Sequence, residues 1–130
     1  MLSILRPDAA LLALRPAVPG QPAAIPTPDT VADFQQQVLR PLLKLQNEPL
    51  LALVADFAQD FRLPLAGTTA EARRQLLAEL LGRNVRLRAI ITGLVRGHFT
   101  AAELTFFRAH RPELTRRLLD LATERVLSQG

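Results

Sequence analysis

Cysteine, tryptophan and tyrosine are absent from this 130-residue chain, and lysine occurs once, at Lys44. Without cysteine there is no disulfide framework, no thiol nucleophile and no thiolate metal site. No apolar run approaches the roughly 18 residues that a membrane span needs. The opening MLSILRPDAALLALRPAVPG is interrupted by Arg6, Pro7, Asp8 and Arg15, so it lacks the apolar core of a signal peptide. The expectation from these absences is a cytoplasmic chain with no membrane partner. Serine is scarce, with Ser3 and Ser128 near the two ends, and no nucleophile elbow occurs. Gly82, Gly93 and Gly97 are too scattered for a phosphate loop, and none precedes a Lys-Ser/Thr pair. No catalytic or cofactor-binding residue is expected, and no cofactor.

Leucine and alanine fill the space that the missing residues leave. Hydrophobic residues make up 48% of the chain, but its aromatic residues are six phenylalanines. The length suits one domain with a core that needs no covalent staples. The net charge is +4, and 15 of the 16 basic residues are arginine. The sequence pI near 11.2 therefore reflects how few groups titrate above neutrality more than a large positive excess.

Six of the ten prolines fall in residues 1–28, at Pro7, Pro16, Pro19, Pro22, Pro26 and Pro28. Each fixes φ, removes a donor and biases its predecessor away from helix. Only Asp8–Leu14 has room for a short helix. Residues 1–28 are read as an extended arm, either disordered or strapped along the surface, with Leu11, Leu12 and Leu14 available to dock.

The folded part, residues 29–130, reads as helix throughout. Val31, Phe34, Val38, Leu42 and Leu45 keep one helical phase through Pro41, which predicts a kink there. Leu50, Leu53, Val54, Phe57 and Phe61 form a second stripe about one residue out of phase, so a break is expected at Asn47–Pro49 with Asn47 as cap. A capping box at Thr68–Glu71 opens a helix with Leu76, Leu77, Leu80 and Leu81 inward, ended by Gly82. Asn84–Gly97 specifies its own cap, its face (Leu87, Ile90, Ile91, Leu94, Val95) and a left-handed stop at Gly97, and is expected to be the central helix. Thr100 with Glu103 is another capping box, flanked by Phe99 and Leu104 at staple spacing. The last helix starts at Pro112 and points Leu114, Leu118, Leu121, Ala122 and Val126 inward. No segment alternates with period two. The expected fold is all-α: a compact bundle of about six short helices, no sheet, and a proline-rich N-terminal arm.

Two histidines, His98 and His110, are the residues suited to neutral-pH proton transfer or imidazole ligation. Neither has a histidine partner one turn away. Nearby Glu103 belongs to a capping box, and Glu113 suits a helix N-terminus, so no metal site is expected. Arginine is the larger asymmetry: from Arg83 onward there are nine arginines against four acids. Arg83, Arg86, Arg88, Arg108, Arg111, Arg116 and Arg117 make a candidate phosphate-binding patch, and residues 85–110 have a helix–turn–helix look. FTAAELTFF, the corresponding recognition helix, offers Phe and Leu in place of base-reading side chains.

The strings LRPLLKLQNEPL (39–50), GHFTAAE (97–103) and TRRLLDLATERV (115–126) resemble a small bacterial family of about this length, some of whose members are labelled glyoxalase. The resemblance covers roughly residues 30–130. An enzyme is what that label implies. A glyoxalase of the vicinal-oxygen-chelate type, however, uses paired βαβββ modules and His/Glu ligands on strands, and this chain has neither pattern.

The sequence therefore favours a helical protein that acts by contact with a protein partner or with itself as a homodimer. Nucleic-acid binding through arginine is the alternative. Leu11, Leu12, Leu14, Phe57, Phe61, Phe106 and Phe107 are the candidate contact residues. Phe106 and Phe107 are neighbours on one helix, so one of them should lie at or near the surface.

Overall fold

A helix that runs through a proline has to re-route its hydrogen-bond ladder, because proline has no N–H to donate. In the computed structural model, which describes residues 5–16 and 29–129, the first long rod does this with one widened turn. Helix α2 (Val31–Phe34) opens into a π turn (Gln35–Leu39) and continues as α3 (Arg40–Leu45). The Arg40 N–H reaches back to the Gln35 carbonyl, and Pro41 falls in the first turn of α3, where a missing donor costs little. The adjustment expected at Pro41 is thus made one turn earlier, and Phe34, Val38, Leu39, Leu42 and Leu43 all stay buried. Thr30 caps this rod by accepting from the Asp33 N–H at 3.0 Å.

The break after Leu45 is real. Gln46 alone separates α3 from α4 (Asn47–Asp60). Asn47 does not cap, because Gln46 enters the new helix at φ −94°, ψ 18°, far from the extended geometry that side-chain capping uses. The Asn47 amide instead accepts from Arg125 at 3.2 Å and exchanges hydrogen bonds with Gln129, tying the bend to the last helix. At its far end α4 closes by a local device. The Leu63 N–H bonds to the Ala58 carbonyl and the Arg62 N–H to the Gln59 carbonyl, the two bonds of a Schellman motif. Arg62 sits at φ 53° to make it, a position that normally selects glycine.

Helix α5 (Ala70–Arg83) starts one residue later than its expected box: Thr69 accepts from the Ala72 N–H, while Thr68 bonds back to the Leu65 carbonyl. Gly82 stays helical, and Asn84 is the single hinge before α6 (Val85–Arg96), capping it by accepting from Leu87 at 2.8 Å. Helix α6 buries Leu87, Ile91 and Val95; Leu94 is half-buried and Ile90 is exposed, so its inward stripe is narrower than its sequence suggested. Gly97 is right-handed at φ −62°, because the chain winds down through short-range bonds from His98 to Val95 and from Phe99 to Arg96.

After that turn come α7 (Ala101–Ala109) and α8 (Arg111–Gln129). The central place expected for α6 belongs to α8, which packs on α3, α4, α5, α6, α7 and the π turn. Nineteen helical residues span about 28 Å, enough to cross a bundle of this size. Leu114, Leu118, Leu119, Leu121, Ala122 and Val126 line its buried side. Aromatic rings knit the first rod to the α6–α7 turn: Phe34 meets Phe99 edge-on at 5.4 Å and stacks on Phe106 at 5.2 Å. The described residues form an all-helical bundle without a strand.

Candidate functional site

Every helix end leaves backbone groups unpaired, carbonyls at its C-terminus and N–H groups at its N-terminus. The turn from α6 to α7 concentrates both kinds within residues 97–101, and the N-terminal arm covers them. Its short helix α1 (Asp8–Ala13) lies against this turn, with Leu11 buried. Arg6 donates to the Gly97 carbonyl at 2.6 Å and to the Phe99 carbonyl at 3.2 Å. Arg15 donates to the His98 carbonyl at 3.2 Å. Two guanidinium groups thus answer the negative end of α6, where cations are favoured. On the other side, Asp8 accepts from the Ala101 N–H at 3.0 Å, at the positive start of α7.

Glu103 joins the two systems. Its carboxylate accepts from the Thr100 N–H at 2.9 Å, while the Thr100 hydroxyl accepts from the Glu103 N–H at 3.3 Å, completing the expected capping box. The same carboxylate takes both terminal nitrogens of Arg15, with Nη1 to Oε2 at 2.7 Å and Nη2 to Oε1. The side chains of Arg15 and Glu103 are 4% and 5% exposed. Fork-to-carboxylate geometry is the strong form of an ion pair, and here it is nearly dry. Breaking such a pair on one side leaves an uncompensated charge, which is what makes it costly to disturb. By contrast, the pairs Arg83–Glu79, Arg116–Asp120 and Arg117–Glu113 each join side chains 31% to 81% exposed, where such pairs contribute little.

His98 sits beside this cluster, its Nε2 in contact with the side-chain amide nitrogen of Gln46. If Gln46 donates, Nε2 is the unprotonated nitrogen and the Nδ1 proton is buried without an acceptor. His110 lies at the other end of α7, bonded to the Phe106 carbonyl at 3.1 Å and stacked on the Phe106 ring. No group of three or more His, Asp or Glu side chains that could hold a metal occurs among the described residues.

The candidate contact residues divide. Leu11 is buried, while Leu12 and Leu14 are 45% and 55% exposed on the docked arm, next to Leu5 at 90%. Leu2 and Ile4, and the rest of the arm from residue 17 to 28, lie outside the described residues. Phe57 is buried with the Arg86 guanidinium over its ring at 5.3 Å, and Phe61 stacks beside it, 57% exposed. Phe61 also overhangs a cleft of about 390 Å³ between α4 and α5 lined by Leu63, Leu76, Leu80 and Arg83. Phe107 is fully buried beneath Arg96, and its neighbour Phe106 is half-buried, so the pair splits between interior and surface.

The candidate basic residues are mostly engaged. Arg83 pairs with Glu79, Arg86 covers Phe57, and Arg88 donates to the Leu81 carbonyl at 2.9 Å. Arg117 bonds to Gln35 in the π turn and to Glu113, and Arg116 faces Asp120 at 4.0 Å. Arg108 and Arg111, at the junction of α7 and α8, have no ion pair among the described residues. A wider cleft of about 490 Å³ opens between α3 and α8, with Arg40, Arg125, Glu124 and Ser128 around Leu43 and Leu121.

Arg6, Asp8 and Arg15 are the residues that sequence reasoning missed. Their signal was three charges in an arm otherwise uncharged, but their partners lie more than 80 positions away. No helix among the described residues is long and apolar enough to cross a membrane. No protein family, curated protein or solved structure matches the chain.

Proposed function

We propose that this protein acts by protein–protein contact, including contact with a second copy of itself, and carries no catalytic chemistry of its own. The observation that supports this most is the docked arm. A segment with one leucine inward, Arg6 bonded to backbone carbonyls and Arg15 paired with Glu103 holds Leu12 and Leu14 in solvent at fixed positions. Apolar side chains presented on an anchored helix are the usual material of a contact surface. Phe61, Val85 and Ile90 are further exposed apolar side chains, at the ends of α4 and along α6.

The test is affinity capture from the native lysate with nuclease present, using full-length protein and the double variant Leu12→Asp/Leu14→Asp. The expected result is a defined set of proteins, this chain among them, retained by the first and lost from the second. Retention no different from bare resin would overturn the reading.

A second reading, nucleic-acid binding, draws on Arg108 and Arg111, which have no ion pair among the described residues where α7 meets α8. It predicts a gel shift with random duplex or single-stranded RNA that weakens steeply with salt, as phosphate contact releases counterions. No shift at micromolar protein and low salt retires it. The enzyme reading attached to the glyoxalase label stands third, and a methylglyoxal–glutathione assay on the purified protein decides it.

A further inference from the structure

Helix α6 carries Arg86, Arg88 and Arg96 and no acid. Where it meets α8 it borders a cleft of about 380 Å³, lined by Arg88, Thr92, Gly93 and Arg96 from α6 and by Thr115 and Leu119 from α8. That volume falls in the usual range of ligand clefts, roughly 300–1,000 Å³. No carboxylate lines the cleft, and neither Arg88 nor Arg96 has an ion pair among the described residues. Both are half-buried, and a guanidinium drawn out of water is normally matched by an acid.

The two cations are also held in place. Arg88 gives one donor to the Leu81 carbonyl at 2.9 Å, and Arg96 rests over the Phe107 ring at 4.9 Å. A guanidinium has five N–H groups, so each keeps donors for a ligand. They stand two turns apart on one helix, about 12 Å along its axis, so an anion that reaches both must be extended. Gly93 lies between them. Glycine within a helix is less stable than alanine, yet a Cβ there would meet nothing within 4 Å. Packing inside the chain therefore does not call for glycine, and its missing side chain keeps the middle of the cleft open.

We propose that the α6–α8 cleft binds a small molecule carrying a chain of phosphate groups, with Arg88 and Arg96 on its two ends and Thr115 donating a hydroxyl between them. Guanidinium forks match phosphate oxygens, and a phosphate chain has the length that the spacing of the arginines asks for. The site goes beyond the protein-contact reading above and involves neither Leu12 nor Leu14.

Isothermal titration of full-length protein with inorganic tripolyphosphate at low salt tests it. One site per chain is expected. Arg88→Gln and Arg96→Gln should each weaken binding about tenfold or more, the scale of a lost hydrogen bond to a charged group. The double variant Arg108→Gln/Arg111→Gln removes as much charge elsewhere and should leave binding within about twofold. Gly93→Leu grows into open space, so it should keep its helical circular dichroism and lose the ligand. No binding by wild type overturns the proposal. So does equal weakening by the Arg108/Arg111 variant, which would describe general attraction of a polyanion, or wild-type binding by helical Gly93→Leu. If the Arg88 or Arg96 variant loses its helical signal, Gly93→Leu decides, and the reverse holds if Gly93→Leu does not fold. Random single-stranded RNA is the second probe. RNA bound in preference to tripolyphosphate overturns the small-molecule ligand and favours the nucleic-acid reading. None of these results bears on protein contact through the arm.

Discussion

Helices α4 and α6 end in different ways. Helix α4 closes with its own next three residues, through bonds from Arg62 and Leu63 back into its last turn. Helix α6 stops without a left-handed residue: the Gly97, His98 and Phe99 N–H groups bond back to its last carbonyls, and the carbonyls of those three residues are taken by Arg6 and Arg15 from the other end of the chain. The local stop needs nothing else but holds Arg62 at φ 53° and leaves Phe61 largely in solvent. The α6 stop avoids a left-handed residue and buries Phe99 completely, and the arm covers the carbonyls of the turn that follows it. A turn whose carbonyls are covered by distant side chains can be uncovered by moving them, whereas a stop closed within its own backbone has no such handle.

Breaking the arm's hold on the α6–α7 turn has the largest expected effect. Glu103→Ala removes one half of the capping box and strands Arg15. Full loss of one partner from a buried pair costs about 3–5 kcal/mol, and the arm's freedom to lift into water should bring this toward ~3 kcal/mol. Urea unfolding followed by circular dichroism measures it. A loss under ~1 kcal/mol, the size of a surface pair's contribution, would mean that the carboxylate is already hydrated.

Removing only the local part of the same turn should do less. Thr100→Ala deletes the hydroxyl that accepts from Glu103 and leaves the ion pair intact, so a loss of about 1 kcal/mol is expected, typical of an N-cap. A melt unchanged within error would contradict the assignment of Thr100 as cap. At the α4 stop the sign reverses. Arg62→Gly relieves a non-glycine residue in left-handed geometry and should stabilise by roughly 0.5–1 kcal/mol, after the extra backbone entropy of glycine is set against the gain. Destabilisation instead would show that the Arg62 side chain contributes more than its backbone costs.

The same contrast explains what the sequence could and could not disclose. Features closed within a few residues were legible: the Thr100–Glu103 box, the Asn84 cap, the break after Leu45 and the helical character of the whole body all follow local rules. Pro41 announced an irregularity, but the π turn that absorbs it is one turn upstream, because the missing donor is felt at the carbonyls behind it. Gly97 looked like a left-handed stop because glycine permits one, although permission does not require it. The hub role of α8 depends on where six other segments pack, which no single stretch encodes. The arm was the hardest case. Leu11, Leu12 and Leu14 marked it as apolar, yet one docks and two do not, and the charges that fasten it had no visible partners.

The central claim is that the arm belongs to the folded body through the pair of Arg15 and Glu103. A double-mutant cycle with wild type, Arg15→Ala, Glu103→Ala and the double variant, read by urea unfolding, tests it most directly. Residues in one buried network couple by about 0.5–3 kcal/mol, and the closeness and dryness of this pair predict a coupling above ~1 kcal/mol. Single losses that add to the double within about 0.3–0.5 kcal/mol would contradict the claim, since they would describe an arm that does not touch the turn it is said to close.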